Sequence, residues 1–302
     1  MIKSKHILVI KKIIYLISKP LRVLEIIKSK TLYKFFEKEY ISVTGNRSVS
    51  DNGLYVASIQ ESLNSYKNFI KFKRDLRYQA ILEHCTYEVG LAYLEIIKKE
   101  SPEFIKRIDI FKENDLVGGA TTYKYKDIGL ISPSTLRYIK VASDIKNIFG
   151  EIIGDRIAEI GCGYGGQLLI ADKVLKFKQW DFLDLPPVLA LSSKYIEHHT
   201  LSSSYHPISL NQHRGDVDYD LVISNYAFSE LPSKLQQMYI EKILSKSKKG
   251  YLTMNSGKEN SVFKDNKLSL GDLKKYLPSF EIIEERPLTA KDNYIIVWGR
   301  KF

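Results

Sequence analysis

The rhythm of hydrophobic and polar positions changes at Gly150. Before it, apolar residues recur at three- and four-residue steps, most clearly in residues 68–100, and this spacing predicts amphipathic helices. After it, short apolar runs alternate with amphipathic segments, which predicts a parallel sheet covered by helices on both faces. The pattern therefore predicts a mainly helical N-terminal region, residues 1–150, followed by an α/β domain, residues 151–302.

The α/β domain contains the clearest alternation of strands and helices. Strands are predicted at 156–161, 180–185, 219–225, 250–255, 280–288 and 293–301, and helices at 165–175, 186–199, 231–247 and 268–278. A further helix over 135–149, begun by Ser134 or Thr135, precedes this domain. The last two strands have no helix between them, so an antiparallel hairpin is expected to end the sheet.

The sequence EIGCGYGGQ, which begins at Glu159, places a glycine-rich turn between a strand and a helix. Such a turn lets a ligand approach the backbone closely. Gly161, Gly163 and Gly166 satisfy the G-x-G-x-x-G spacing of a dinucleotide site, which is a weak match when taken alone. Glu159 stands two residues before the first glycine, and Asp184 ends the next predicted strand, where a carboxylate can accept hydrogen bonds from ribose hydroxyls.

The combination of E-x-G-x-G-x-G, LDLP, YDLVISN and the terminal hairpin resembles a class I S-adenosylmethionine-dependent methyltransferase with a Rossmann-like sheet. More closely, EIGCGYGGQ, DLPPVL, SNYAFSELP and NYIIVWG, with SPSTLRY upstream, look like a family of bacterial sugar O-methyltransferases from surface-polysaccharide gene clusters. This similarity spans roughly residues 75–302. Cys162 departs from the family, which tends to carry a smaller residue there, although a cysteine is small enough to preserve the turn.

The resemblance implies S-adenosyl-L-methionine as the cofactor and a sugar hydroxyl as the methyl acceptor. The cofactor-binding positions that it implies are Glu159, Gly161, Gly163, Gly165, Asp184 and Asn225. Structural alternatives stay open for several of them. Gly165 can serve helix–strand packing, Asp184 can cap the following helix, and Asn225 can be an ordinary turn residue. Arg137 and Tyr138 are expected to bind the acceptor, because an arginine suits a phosphate or carboxylate.

Methyl transfer to a hydroxyl also requires a group that accepts the hydroxyl proton. Glu230 follows the predicted strand 219–225, and His206 lies in what looks like a loop before it, so these two are the candidates for the base. Three aspartates in GDVDYD, which begins at Gly215, have the chemistry to bind magnesium. Alternating carboxylates at the start of a strand more often form a solvated turn, and no metal site is predicted.

Composition and charge bear on the partners of the chain. The sequence has 302 residues and a net charge of +11, and residues 151–302 hold 20 basic against 19 acidic residues. The positive charge therefore belongs to residues 1–150, and residues 1–40 alone have ten basic and three acidic residues. An apolar basic helix within residues 1–40 can contact an anionic membrane surface, pack on its own protein or form part of a homo-oligomer interface.

The remaining composition agrees with a cytoplasmic protein, with membrane contact limited to the inner face. Two cysteines far apart argue against a disulfide framework and against a structural zinc site. The expected acceptors are a sugar, a nucleotide-sugar or a lipid-linked glycan. Two alternatives remain. In one, the basic half binds a nucleic acid as the methyl acceptor, although no RNA-binding module is legible. In the other, a non-catalytic methyltransferase fold serves as a docking protein.

Overall fold

A computed structural model describes residues 53–258 and 266–300 of the chain. The predictions made for residues 1–40, a membrane surface contact and an oligomer interface, lie outside the described residues. The described residues belong to one compact unit. No helix within the two described ranges is long and apolar enough to cross a membrane.

The helical part begins with short helices and ends in one long buried helix. The helices are α1 Gly53–Asn64, α2 Tyr66–Phe69, α3 Leu76–Gln79, α4 Tyr87–Glu100, α5 Pro102–Lys106, α6 Ile108–Phe111 and α7 Pro133–Phe149. A two-stranded hairpin of β1 Tyr123–Tyr125 and β2 Gly129–Ile131 precedes α7. Helix α7 starts two residues earlier than the sequence predicts, because the Ser132 hydroxyl accepts the backbone N–H of Thr135 and Pro133 occupies the first helical position.

The α/β part follows the predicted alternation of strands and helices. Its strands are β3 Arg156–Ile160, β4 Gln179–Leu183, β5 Ser204–Ile208, β6 Leu221–Asn225, β7 Gly250–Met254, β8 Glu281–Glu284 and β9 Tyr294–Trp298. Its helices are α8 Gly166–Asp172, α9 Pro186–Ile196, α10 Ala227–Glu230, α11 Ser233–Lys242 and α12 Leu270–Tyr276. Each predicted strand is present, within a few residues of its predicted bounds.

The strands form a seven-stranded sheet in the order β5-β4-β3-β6-β7-β9-β8. The first five run parallel, while β9 pairs antiparallel with both β7 and β8. This arrangement confirms the predicted α/β class, with a Rossmann-like sheet that ends in an antiparallel hairpin. The chain runs outward from β3 through β4 and β5, then returns to place β6 on the other side of β3, and this reversal opens a crevice at the carboxyl ends of β3 and β6.

Strand β5 is an element that the sequence analysis missed. It pairs with β4, so the segment taken for a loop around His206 is an edge strand of the sheet. Its five residues, SYHPI, are exposed or half-buried and lack the apolar run that identifies the other parallel strands. Only the neighbouring strand fixes its conformation.

The hydrophobic core continues across residue 150. One cluster of buried side chains joins helices α1, α4 and α7 to one face of the sheet, and a second cluster lies on the other face under α11 and α12. Helix α7 is buried along most of its length and contacts both α4 and α8. The described helices before residue 150 are therefore part of the wall around the crevice, and the division into regions 1–150 and 151–302 stays a prediction from sequence.

Candidate functional site

A cavity of about 710 Å³ lies at the carboxyl ends of the central strands. This volume falls within the range of about 300–1,000 Å³ that small-molecule sites occupy. Its walls come from the glycine-rich turn, the ends of β4 and β6, the residues before α4, helix α7 and the β8–β9 connection. The cavity thus occupies the position where open α/β sheets bind their ligands.

Two glycines of the turn line the cavity, and the backbone requires glycine at both. Gly161 has a φ of +79° and Gly163 a φ of +55°, conformations that side chains disfavour. A methyl group at Gly161 would lie 2.0 Å from the Cβ of Ala227, so there is no room for a side chain between the end of β3 and α10. The turn therefore presents bare backbone to the cavity.

The structure corrects the prediction made for Gly165. This glycine is outside the cavity wall, and a Cβ there would meet Phe182 and Ile196 at 3.1–3.2 Å. Its φ of +88° provides the left-handed residue immediately before α8. Gly165 serves helix–strand packing, the structural alternative that the sequence left open.

Glu159 is the most deeply buried acid at the cavity, with 2% of its surface exposed. One carboxylate oxygen accepts a hydrogen bond from the indole N–H of Trp180 at 2.9 Å. Burial raises the pKa of Glu159 to about 8; the Trp180 bond opposes this increase and the charge of Asp184 adds to it. At neutral pH the Glu159 carboxyl is therefore mostly protonated until a positive charge or a donor arrives.

Asp184 lies at the end of the adjacent strand β4 and holds the glycine turn. Its Oδ2 accepts the backbone N–H of Gly163 at 3.3 Å and its Oδ1 accepts the N–H of Leu185 at 2.7 Å. Burial raises the pKa of Asp184 to about 6, while these backbone bonds oppose the shift. The Asp184 side chain therefore connects the glycine-rich turn to the backbone of Leu185. Its carboxylate remains mostly ionised at neutral pH.

Asn225 ends strand β6 and faces the same cavity. Its side-chain N–H group donates to the Gln167 side chain at 3.4 Å, while its Oδ1 is buried without a partner among the described residues. A buried acceptor left unpaired costs about 1–3 kcal/mol. Asn225 therefore presents an unused acceptor to any ligand at the β3–β6 crevice.

Tyr226 follows Asn225 and was not singled out by the sequence analysis. Its φ of +70° is in the left-handed region, which is unusual for a residue with a large side chain. The Tyr226 hydroxyl donates to the carboxylate of Glu285, a buried residue of the β8–β9 connection that also accepts bonds from Thr289 and Asn293. Strained residues of this kind concentrate at functional sites, but a sequence shows no signal of positive φ at a tyrosine.

Glu230 ends the short helix α10 and lines the cavity. A base that takes a proton from an acceptor bound in the cavity must have this position. The Oε1 of Glu230 accepts the side-chain N–H of Asn255 at 3.0 Å. Burial raises the pKa of Glu230, and the Asn255 bond and the charge of Lys267 oppose that increase. A carboxylate with a raised pKa is a stronger proton acceptor than an exposed one.

The structure also corrects the prediction made for His206. This histidine lies on edge strand β5, outside the cavity wall, with 53% of its side chain exposed. Its Nδ1 is 3.9 Å from the Oδ1 of Asp181, a buried carboxylate that pairs with Arg156. His206 is therefore no candidate for the base, because it cannot contact an acceptor bound in the cavity.

The aspartates of GDVDYD were considered as magnesium ligands. Asp220 accepts the backbone N–H groups of Asp155 and Arg156 at 2.8 and 3.0 Å and pairs with Lys248 at 2.8 Å. This carboxylate connects β6 to the start of β3. Within residues 53–258 and 266–300, no three acids, histidines or cysteines are grouped so as to hold a metal ion.

Arg137 and Tyr138, predicted to bind the acceptor, both line the cavity from helix α7. The Arg137 guanidinium lies over the Tyr138 ring, with its central carbon 5.4 Å from the ring centroid. His84 lines the same wall, and desolvation there, with the charge of Arg137 second, lowers its pKa to about 4. Helix α7 therefore brings the cation of Arg137 to the cavity that Glu159, Asp184 and Glu230 also line.

Comparison with known proteins adds little to this geometry. No protein-family model matches the chain, and no curated protein matches it significantly. Among solved structures, the N-terminal domain of EvdMO1 with SAH bound has a TM-score of 0.43 and 15% identity, over 67% of this chain and 97% of that one. TrmK of M. capricolum in complex with S-adenosyl-homocysteine has a TM-score of 0.36 and 16% identity, over 53% and 66%.

The methyltransferase domain of bacterial CtHen1-CN has a TM-score of 0.40 and 13% identity, over 53% of this chain and 96% of that one. These values are too low to carry an argument about chemistry.

Proposed function

We propose that the protein transfers a methyl group from S-adenosyl-L-methionine to a sugar hydroxyl. One observation carries the proposal: Glu159 and Asp184 end neighbouring parallel strands on either side of a turn in which Gly161 and Gly163 expose the backbone. The sheet order, with β9 inserted antiparallel between β7 and β8, supports a methyltransferase over a dinucleotide enzyme. The sequence resemblance points the same way.

The residues of the cavity fit this cofactor chemically. Asp184, ionised and at the end of β4, would accept hydrogen bonds from the ribose hydroxyls. Glu159 would receive the amino group of the methionine part, whose positive charge favours the ionised carboxylate. The unpaired Oδ1 of Asn225 offers one further acceptor to the bound molecule. The cofactor supplies a methyl group already activated on a positively charged sulfur.

The protein has two tasks in the transfer itself. It holds the acceptor oxygen in line with the methyl group, which removes the entropic cost of a two-molecule encounter. It also accepts the hydroxyl proton, and we assign this task to Glu230, whose carboxylate borders the cavity next to the end of β6. A positioned base contributes about 10²–10⁴-fold to the rate.

The proposed acceptor is a sugar, carried as a nucleotide-sugar or a lipid-linked glycan and methylated in the cytoplasm. Support comes from the five tyrosines that line the cavity: Tyr55, Tyr93, Tyr138, Tyr226 and Tyr239. Their rings offer flat apolar faces and their hydroxyls offer hydrogen bonds, the combination that suits a polar but partly apolar ligand. The resemblance to sugar O-methyltransferases is the second support.

Calorimetric titration of the full chain with S-adenosylhomocysteine tests this function, with NAD as the control ligand. We expect micromolar binding of S-adenosylhomocysteine and no binding of NAD. The variant Asp184→Asn keeps an acceptor for the Gly163 N–H but loses the charge, so its affinity should fall about 10- to 100-fold. Preferential binding of NAD, or unchanged affinity of a folded Asp184→Asn variant, would refute the assignment.

A further inference from the structure

Arg137 is a buried cation without an anionic partner among residues 53–258 and 266–300. Only 7% of its surface is exposed, and its Nε is buried without a hydrogen-bond partner in the part of the chain that the structure describes. The other two cations of helix α7 are paired: Lys140 binds Asp144 at 2.5 Å and Lys146 binds Glu103 at 2.9 Å. Among the described residues, Arg137 has no ion pair of this kind.

Glu83 is a buried carboxyl whose pKa the charge of Arg137 affects, although the two side chains form no ion pair. Its Oε2 accepts the Ser134 hydroxyl at 3.0 Å, and its Oε1 is buried without a partner. Burial raises the pKa of Glu83, and the charge of Lys73, the Ser134 hydrogen bond and then the charge of Arg137 oppose that increase. Glu83 therefore neutralises Arg137 incompletely, and it lies outside the cavity wall that Arg137 lines.

A buried guanidinium without a matched anion is costly, whereas one that faces a cavity can be stabilised by a ligand. Its planar fork of N–H donors matches a carboxylate or a phosphate in a bidentate arrangement. We infer that Arg137 forms an oxyanion subsite of the cavity, which binds a carboxylate or phosphate group of a bound substrate. This inference rests on the proposed function, and it specifies that the protein recognises an anionic group of the bound ligand.

Two ligands of the proposed reaction can supply this group. The first is the carboxylate of the methionine part of the cofactor. The second is an acidic group on the acceptor, either the phosphate of a nucleotide-sugar or the carboxylate of a uronic acid. The rings of Tyr93 and Tyr226, which line the cavity with Arg137, would pack against either ligand. The chemistry of the subsite is the same in both cases, and binding measurements separate them.

The test uses the full chain with Arg137→Gln, which removes the charge and the fork. If the cofactor carboxylate is bound, affinity for S-adenosylhomocysteine falls about 10- to 100-fold, while affinity for methylthioadenosine, which lacks the amino-acid part, is unchanged. If the acceptor anion is bound, glucose 1-phosphate or glucuronate loses affinity by that factor and S-adenosylhomocysteine does not. As the control, Lys146→Gln removes one positive charge from the same helix outside the cavity. It should change neither the affinity for S-adenosylhomocysteine nor the affinity for the anionic sugars.

The wild-type protein offers a readout that needs no folded variant. Desolvation is the main cause of the low pKa of His84, about 4, and the charge of Arg137 lowers it further. An anion bound at Arg137 cancels this second effect, so the pKa of His84, measured by NMR, should be higher with an anionic ligand than with a neutral one. Neutral glucose and methylthioadenosine should leave it unchanged. Should Arg137→Gln fail to fold, Arg137→Lys keeps the charge without the fork and is expected to lose part of the affinity.

The inference is overturned if a folded Arg137→Gln variant binds both the cofactor product and the anionic sugars with wild-type affinity. It is overturned equally if neutral and anionic ligands lose affinity to the same extent, or if no anionic ligand shifts the pKa of His84. Failure of the wild-type protein to bind S-adenosylhomocysteine would instead refute the proposed function. The two failures are therefore distinguishable in one set of titrations.

Discussion

The raised pKa of Glu159 predicts a pH-dependent instability that the variant Glu159→Gln should remove. Glutamine has the size of the protonated acid, and its side-chain oxygen can still accept the Trp180 indole N–H. Its extra N–H group shifts stability by a constant amount that does not vary with pH. The informative quantity is therefore how the difference in unfolding free energy between variant and wild type changes with pH.

The size of this change follows from the two pKa values. The Glu159 carboxyl titrates near 4.5 in the unfolded chain and near 8 in the folded protein, so the folded state binds the extra proton between these values. Wild-type stability therefore falls as the pH rises from about 4.5 to about 8 and then levels off. At about 1.4 kcal/mol per pH unit, the variant should gain on the wild type by about 3 kcal/mol at pH 7 and about 4 kcal/mol at pH 8, where the folded-state carboxyl is half titrated.

Urea unfolding of both proteins at pH 5, 6.5 and 8 measures this difference directly. A difference that stays the same at all three pH values would show that Glu159 is ionised in the folded protein, and the assignment of a protonated acid at the cavity would fail. The proposed contact of Glu159 with the methionine amino group predicts a second measurable effect. Binding of S-adenosylhomocysteine at pH 7 should release a proton from Glu159, detectable by calorimetry in buffers of different ionisation enthalpy.

Three other substitutions test the site. Gly161→Ala should lower the free energy of unfolding by about 1–3 kcal/mol more than Gly129→Ala does. Both glycines have a positive φ, but only at Gly161 would the added methyl group clash with a side-chain atom that cannot move away, the Cβ of Ala227. Equal costs in urea unfolding would contradict this prediction. Glu230→Gln should lower kcat about 10²–10⁴-fold and leave S-adenosylhomocysteine affinity unchanged, and wild-type activity should fall as the pH drops through the raised pKa of Glu230. His206→Ala should retain wild-type kcat, and a tenfold loss would reinstate His206 as a candidate base.

Local sequence was sufficient for the fold class and for part of the site. The apolar runs of β3, β4, β6, β7 and β9 are each legible alone, because a strand buried on both faces has apolar residues throughout. A helix connects β3 to β4, so the two strands run parallel and their carboxyl ends lie at the same edge of the sheet. This connection places Glu159, Gly161 and Asp184 together at that edge. Glu230 lies in the cavity for the same reason, one short helix after β6.

The errors occurred where neighbours in space decide the structure. Strand β5 is exposed along most of its length and is defined by its pairing with β4, so His206 looked like a loop residue near the site. A glycine-rich turn contains some glycines that face a ligand and others that admit a neighbouring side chain. Only the positions of Phe182 and Ile196 show that Gly165 belongs to the second kind.

What the sequence alone determined is therefore the order of the elements and the residues that each strand carries to its end. The tertiary structure decided which distant residues complete the cavity. His84 and Arg137 precede the sheet in sequence and reach the cavity because α7 is buried against α4 and α8. Arg137 was named from the sequence as a residue that binds the acceptor. The buried contacts of a helix depend on all the elements packed against it, so no local pattern could show that Arg137 would lack an anionic partner among the described residues.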